Sequence, residues 1–125
     1  MREILFRGKT QEHTRWIYGD LNHYMCDDGV FIAENGHSMH RVLKETVGQY
    51  TGLTDKNGNK VFEGDIVYVC YKGKNGAIVF KHGMYLIDGN GFCIDFILTD
   101  RDKELEIIGN IHDNPELLKG GDENA

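Results

Sequence analysis

The sequence lacks long hydrophobic segments. No stretch approaches the roughly 18 apolar residues that a membrane-spanning helix needs. The N-terminal segment MREILFR has neither the long apolar region nor the small-residue cleavage site of a secretory signal peptide. We therefore expect no membrane segment and a location in the cytoplasm.

Cysteine is scarce as well. The three cysteines, Cys26, Cys70 and Cys93, are odd in number and far apart, whereas a disulfide framework usually has an even number of cysteines. Cys70 and Cys93 lie in apolar runs, where a thiol behaves as a small hydrophobic side chain. This usage is typical of a reducing compartment.

The chain is short, and its net charge is not basic. A chain of 125 residues fits one domain, which we place at residues 1–118, and it can bury a core without a covalent staple. The 14 basic and 20 acidic residues give a net charge of −6. An acidic balance favours solubility and argues against a protein that coats nucleic acid.

Proline is nearly absent, whereas glycine is abundant. One proline and 16 glycines accompany short apolar runs at intervals of about 8–12 residues, a pattern typical of a small sandwich or barrel. We predict a mostly β fold, a partly open barrel or sandwich. It ends in a short helical turn with Asn114 as N-cap and Pro115 as first helical residue. Residues 34–44 are interpreted as a loop with room for one helical turn, and residues 119–125 as a mobile tail.

Asn-Gly pairs indicate turns because they tolerate the positive φ of tight hairpins. We predict a hairpin turn at Asp55–Gly58 and another turn at Lys72–Gly76. The continuous apolar run Ile66–Tyr71 predicts a central strand. The short strand Val30–Ala33 is interpreted as an edge strand through which two copies of the chain could pair.

No catalytic motif is complete. Gly36–His40 begins like the G-x-S-x-G motif, and Ser38 is the only serine, but His40 stands where the motif needs a small residue. Glu63 and Asp65 could divide acid and base roles. Acids that flank a glycine at a strand entry more often accept backbone N–H bonds within the turn. We predict no catalytic residue and a protein that is not an enzyme.

A metal site is not indicated either. Of the six histidines, only His37 and His40 are close in sequence, and zinc needs three or four ligands. Asp55–Asn59 imitates the start of an EF-hand loop. However, Lys60 and Ile66 stand where that loop requires glycine and a bidentate glutamate. We predict no metal and no cofactor.

Basic residues near the N-terminus support an alternative function. The cations of the first fifteen positions are Arg2, Arg7, Lys9 and Arg15. Trp16 and Tyr18 follow directly, and surfaces that combine cations with stacking aromatics bind single-stranded nucleic acid. The alternative is therefore a small nucleic-acid-binding module with Arg7, Lys9, Arg15 and Trp16 as its contacts, although acidic residues are interleaved with them.

Several segments together resemble the YopX family of phage and prophage proteins. They are FRGK at Phe6–Lys9, WIYGDL at Trp16–Leu21, ETVGQYTGLTD at Glu45–Asp55, NG at Asn57–Gly58, FEGDIV at Phe62–Val67, LEIIGNI at Leu105–Ile111 and NPELL at Asn114–Leu118. The pieces appear in the family's order and span nearly the whole chain. The segments Met25–Lys44 and Lys72–Lys103 carry no matching motif.

The resemblance implies a phage or prophage origin, a bacterial cytoplasm and a mainly β fold with an SH3-like barrel portion. It implies no activity and supplies no catalytic residue. Gln49, Tyr50 and Asn110 are polar residues within predicted strands, where a polar group must find a partner or face water. We interpret them as a candidate interaction surface. We expect a non-enzymatic binding or adaptor protein whose partner is an unknown protein or a second copy of the chain.

Overall fold

The computed structural model describes residues 3–23, 29–70, 72–89, 91–95 and 105–118. Antiparallel strands dominate these ranges and form two sheets that do not close into a barrel. The predicted mostly β class is therefore confirmed, and the SH3-like barrel portion stays a prediction. The strands are β1 (Phe6–Lys9), β2 (Trp16–His23), β3 (Val30–Glu34), β4 (Ser38–Val42), β5 (Gly48–Thr54), β6 (Lys60–Phe62), β7 (Asp65–Val69), β8 (Lys74–Lys81), β9 (Met84–Gly89), β10 (Phe92–Asp95) and β11 (Leu105–Asn110). A 3-10 helix covers Lys44–Thr46, and residues 116–118 are helical.

The chain folds into two compact units, Met1–Tyr50 and Thr51–Ala125. The first unit holds the strand order β4-β3-β2-β1-β5, with β5 continuing into the second unit, where β6 is its next neighbour. The second unit also holds a five-stranded sheet in the order β10-β9-β8-β7-β11. The single domain over residues 1–118 stays a prediction.

In the first unit, alternation along β2 and β3 decides which side of the sheet turns inward. Ile17 and Ile32 are fully buried, and Val30 and Val42 join them in one hydrophobic cluster. Each such side chain stabilises the fold by about 1.5–3 kcal/mol when it leaves water. Because strand side chains alternate between faces, the residues between these positions lie on the opposite, outer face.

The ends of β1 and β4 are joined through the 3-10 helix. An isolated bridge pairs Thr10 with Val42, and the Leu43 N–H donates to the Lys9 carbonyl at 2.8 Å. The Thr46 hydroxyl, 5% exposed, accepts the Lys9 N–H at 2.9 Å and donates to the Leu43 carbonyl at 2.6 Å. One buried hydroxyl therefore connects a strand to the segment that leads into β5.

In the second unit, one face of the five-stranded sheet carries the hydrophobic core. Its hydrophobic cluster consists of Val61, Val67, Val69, Ile78, Ile87 and Leu105. The predicted central strand at Ile66–Tyr71 corresponds to β7, which pairs with β8 and β11. Within β7 only Tyr68 is substantially exposed, at 37%, so the prediction of a covered central strand is largely confirmed, while Tyr71 lies outside the described residues.

The C-terminal turn contacts the opposite face of that sheet. The Asn75 side-chain amide donates to the Leu117 carbonyl at 2.9 Å. The predicted capping role of Asn114 takes a different form. Its side-chain oxygen accepts the backbone N–H of Asn110 at 3.2 Å, and its backbone carbonyl accepts the Leu117 N–H at 3.1 Å. Asn114 therefore fastens the turn to the end of β11.

A pair of facing glycines makes room for one aromatic ring in this sheet. Gly76 on β8 pairs with Gly89 on β9, which pairs with Phe92 on β10. A Cβ atom at position 89 would lie 2.2 Å from the Phe92 ring, and one at position 76 would lie 3.3 Å from it. The ring therefore occupies space that two side chains would otherwise fill.

Three sequence-based interpretations are wrong. Residues 34–44 contain the strand β4, because the Asn35-Gly36 pair forms a hairpin turn with φ values of 57° and 75°. Val30–Ala33 is not an edge strand, since β3 pairs with both β2 and β4. Lys74, Asn75 and Gly76 belong to β8 instead of a turn.

Three features named in the sequence analysis fall outside the described residues: the N-terminal cation Arg2, the thiol of Cys26 and the tail at residues 119–125. Within the described ranges, no helix combines the length and the apolar character needed to cross a membrane.

Candidate functional site: an aromatic and basic sheet face

The outer face of the first unit's sheet combines aromatic and basic side chains. The aromatic–basic face consists of Lys9, Trp16, Tyr18, Phe31, Met39 and Arg41. Residues paired directly across antiparallel strands share a face, and the register pairs Lys9 with Trp16 and Phe31 with Arg41. Strand alternation then places Tyr18 and Met39 on the same side.

One end of this face is organised around Trp16. The Arg7 guanidinium lies 4.8 Å from the Trp16 ring centroid, and the Lys9 ammonium lies 5.8 Å from it. Both distances fall within the range of a cation–π interaction. Arg7 is only 7% exposed, so it supports the ring from a buried position, whereas Lys9 is half-buried.

The other end is organised around Phe31. The guanidinium of the exposed Arg41 lies 5.1 Å from the Phe31 ring centroid. The same guanidinium passes over Gly29, where a Cβ atom would approach the Arg41 Nη1 to 2.5 Å. The absence of a side chain at position 29 therefore gives Arg41 the space to lie along the sheet.

Two apolar side chains of this face are exposed, and the net charge of its unit is close to zero. Tyr18 is 45% exposed and Met39 is 40% exposed. Residues 1–50 hold 6 of the 14 basic and 7 of the 20 acidic residues, a net charge of −1; residues 51–125 hold the other 8 and 13, a net charge of −5. The acidic character of the protein therefore lies mostly in the second unit, away from these cations in sequence.

A cleft of about 440 Å³ adjoins the turn between β1 and β2. It is lined by Thr10, Gln11, Glu12, His13, Arg15, His40 and Arg41. Both terminal nitrogens of Arg15 donate to the Glu34 carboxylate at 3.3 Å, and His40 Nε2 lies 3.4 Å from Glu34 Oε1. The hydrogen bond from Arg15 is the main cause that lowers the pKa of Glu34, so an Arg15–Glu34 ion pair lies beside the cleft.

The predicted nucleic-acid contacts therefore divide into two groups. Lys9 and Trp16 come together with Arg7 at one end of the aromatic–basic face. Arg15 instead pairs with Glu34 beside the cleft. The strand assignment alone could have separated them, because Arg15 directly precedes Trp16 and adjacent residues point to opposite sides.

The predicted interaction surface of Gln49, Tyr50 and Asn110 is not brought together within one unit. Gln49 pairs with Phe6, and the Tyr50 N–H donates to the Leu5 carbonyl at 2.8 Å. Asn110 belongs to the second unit. Its side-chain oxygen accepts the N–H groups of His112 and Asp113 at 3.0 and 2.9 Å, so this side chain shapes the turn after β11.

The paired acids Glu63 and Asp65 flank the turn before β7. Asp65 is 3% exposed, and its Oδ2 accepts the Phe62 N–H at 2.7 Å. The expectation that such an acid bonds backbone N–H groups is confirmed for Asp65. Across the part of the chain that the structure describes, no three His, Cys, Asp or Glu side chains are grouped to hold a metal ion.

Sequence reasoning missed Phe31, Met39 and Arg41 as members of the aromatic–basic face. The reason is that the interpretation of residues 34–44 as a loop removes β4 and its cross-strand pairs. The usable signal was Asn35-Gly36, which favours the tight hairpin turn that the structure contains. Once β4 is placed, Phe31 and Arg41 become neighbours on the face that Trp16 and Tyr18 share.

Comparisons with known proteins agree with the family resemblance. The family model described as "YopX protein" matches residues 5–119. The chain is 24% identical over 123 residues to the SPbeta prophage-derived uncharacterized protein YopX of Bacillus subtilis (strain 168), with 82% of this chain and 92% of that one covered. The crystal structure of protein EF1440 from Enterococcus faecalis has a similar fold, with a TM-score of 0.58 and 20% identity over 94% of this chain and 99% of that chain.

Proposed function

Because this chain belongs to the YopX family, whose matched relative is prophage-derived, we propose that it is a non-enzymatic binding or adaptor protein acting in the cytoplasm of a bacterial host. The aromatic–basic face is its binding surface. Aromatic and arginine side chains are the residues that carry most binding energy in interfaces, and this face concentrates both types on one sheet.

The single observation that supports this proposal is the exposure of Tyr18 and Met39 beside ordered cations. Tyr18 at 45% and Met39 at 40% present apolar surface, while Arg41 is held along the sheet by its contact with Phe31. A side chain held in place before binding loses less conformational freedom on contact. The aromatic–basic face is therefore preorganised for binding.

The proposal that the protein is not an enzyme rests on the hydrogen bonds that its candidate polar side chains already make. The carboxylate of Asp65 bonds the turn before β7, and that of Glu34 is occupied by Arg15. The one hydroxyl in the cleft, that of Thr10, donates to the Glu12 carbonyl. These side chains stabilise the fold through hydrogen bonds. An acid–base or nucleophilic role would require each of them to break the hydrogen bond to its present partner.

The experiment is a comparative capture from the lysogenic or infected host. The tagged full chain serves as bait beside Tyr18→Ser and Tyr68→Ser variants, each with and without nuclease treatment. Tyr68, 37% exposed on β7, is the matched control. We expect a protein or nucleic acid that wild type and Tyr68→Ser retain and Tyr18→Ser loses. Identical captures by all three baits would refute the proposed surface.

A second copy of the chain is one partner that this proposal includes. Light scattering at high protein concentration tests it, with the wild type expected to show a larger mass than Tyr18→Ser. A monomeric mass for the wild type would remove self-association from the proposal and leave other partners to the capture experiment.

A further inference from the structure

The aromatic–basic face offers rings at a regular spacing. Trp16 and Tyr18 lie two residues apart on β2, so their Cα atoms are about 7 Å apart along the strand. Both side chains leave the same side of the sheet. Two adjacent rings on one strand can each stack on one base, provided that the bases are not already paired and stacked in a duplex.

The face also carries two cations that a sugar–phosphate backbone could contact. Lys9 flanks the ring of Trp16, and Arg41 lies along the ring of Phe31, two strands from Trp16 across the sheet. Asp20 is the acidic residue that strand alternation places on this face. A phosphodiester chain carries one negative charge per nucleotide, and basic grooves attract it electrostatically.

The second unit contains a similar motif in a less favourable setting. The ammonium groups of Lys72 and Lys74 lie 5.4 and 6.0 Å from the ring centroid of Phe92. Residues 51–125 nevertheless carry a net charge of −5, against −1 for residues 1–50. Charge complementarity to a polyanion therefore favours the first unit, and the second unit provides matched controls.

We propose that the aromatic–basic face binds single-stranded nucleic acid, with bases stacked on Trp16 and Tyr18 and phosphates contacted by Lys9 and Arg41. This inference rests on the proposed binding function and specifies its ligand class. Stacking tolerates any base because every base has a π face. Binding is therefore largely independent of sequence and sensitive to salt.

The test uses the intrinsic fluorescence of Trp16, the only tryptophan in the chain. The full-length protein is titrated with an oligothymidylate of about 15 nucleotides, a length within the site sizes of single-strand binders. We expect quenching of Trp16 at low salt. Two neutralised phosphates, one at Lys9 and one at Arg41, predict a slope of about −1.4 in the logarithm of affinity against the logarithm of salt concentration.

Matched substitutions assign the binding to this face. We expect Tyr18→Ala to weaken binding by about fivefold or more, as the loss of one stacked base implies. Arg41→Ala is expected to make the salt slope shallower by about 0.7. Tyr68→Ala and Lys74→Ala, in the second unit, are expected to bind like wild type. Urea unfolding of each variant confirms that it is folded.

Three results would overturn the inference: no quenching at 100 μM oligonucleotide in low salt, equal losses in Tyr18→Ala and Tyr68→Ala, or equal affinity for duplex and single strand. The proposed function is tested separately by the capture experiment. If Tyr18→Ser loses a captured protein while oligothymidylate binding is absent, the ligand class is wrong and the binding surface stands. If neither readout depends on Tyr18, both fail.

Discussion

The carboxylate of Asp55 accepts the backbone N–H of Ile107, 52 residues further along the chain, at 3.0 Å. Its other oxygen accepts the N–H groups of Asn57 and Asn59 at 2.9 and 3.0 Å. Asp55 is 4% exposed. One buried side chain therefore closes the predicted hairpin turn and fastens it to β11.

Asp55→Asn is expected to destabilise the protein by about 1–3 kcal/mol, because an amide NH₂ group would face one of the backbone donors and leave it unsatisfied. The free energy of unfolding in urea measures the loss. Asp88→Asn is the control: Asp88 pairs with Lys81 at 3.6 Å and its side chain is 42% exposed. A surface pair of this kind contributes about 1 kcal/mol or less. Equal losses in the two variants would contradict the role assigned to Asp55.

The same carboxylate predicts a pH dependence. Burial acts to raise the pKa of Asp55, but the N–H groups of Ile107, Asn59 and Asn57 outweigh it and hold the pKa below its usual value. The unfolded chain then binds the proton more readily than the folded one, so this stabilisation is present above about pH 4 and is lost as the pH falls through the folded pKa. We expect the stability difference between wild type and Asp55→Asn to shrink between pH 6 and pH 3. A constant difference would argue against the prediction.

Thr46 provides a prediction for the first unit. Thr46→Val removes the hydroxyl that accepts the Lys9 N–H while it keeps a similar volume, so we expect a loss of about 1–3 kcal/mol in the free energy of unfolding. Thr46→Ser keeps the hydroxyl and is expected to lose less. If serine costs as much as valine, the methyl group and not the hydrogen bond supplies the stability.

Gly29 tests the position of Arg41 on the aromatic–basic face. Gly29→Ala would displace the Arg41 guanidinium from Phe31, and the far end of a flexible side chain can move at a cost below about 1 kcal/mol. We expect near-normal stability in urea and weaker oligothymidylate binding. In an Arg41→Ala background, Gly29→Ala should have no further effect on affinity, because the two changes act on one contact. Additive losses would show that Gly29 acts by another route.

Three of the Asn-Gly pairs in the chain show what the sequence could and could not predict. Asn57-Gly58 forms the expected turn, with Gly58 at φ 84°. Asn35-Gly36 forms an equally tight turn. The residues after it, SMHRV, include few of the side chains that favour strands, so the sequence does not indicate β4. Asn75-Gly76 is part of β8. The glycine at position 76 leaves space for the neighbouring Ile87 and Phe92 side chains and does not form a turn. Local propensity alone does not distinguish these environments.

The candidate site was also predictable only in part from the sequence. Lys9 and Trp16 are close in sequence and their ladder pairing follows from a single hairpin between β1 and β2. Arg7 looked equivalent to Lys9, yet it is buried. Arg15 is held by Glu34, 19 residues away. Such long-range pairing depends on the register of β2 and β3, which a sequence specifies only through the side chains that reach the core.

The ring of Phe92 over Gly76 and Gly89 links the evolution of three positions. A side chain at position 89 would displace the ring, and one at position 76 would press first on Ile87 and then on the ring. A smaller residue at position 92 would leave bare backbone in the sheet. Members of the family should therefore vary these positions as a set. Homologues with a side chain at either glycine are expected to have lost the aromatic residue. In an alignment of the family, the residue at one of these three positions should therefore predict the residues at the other two.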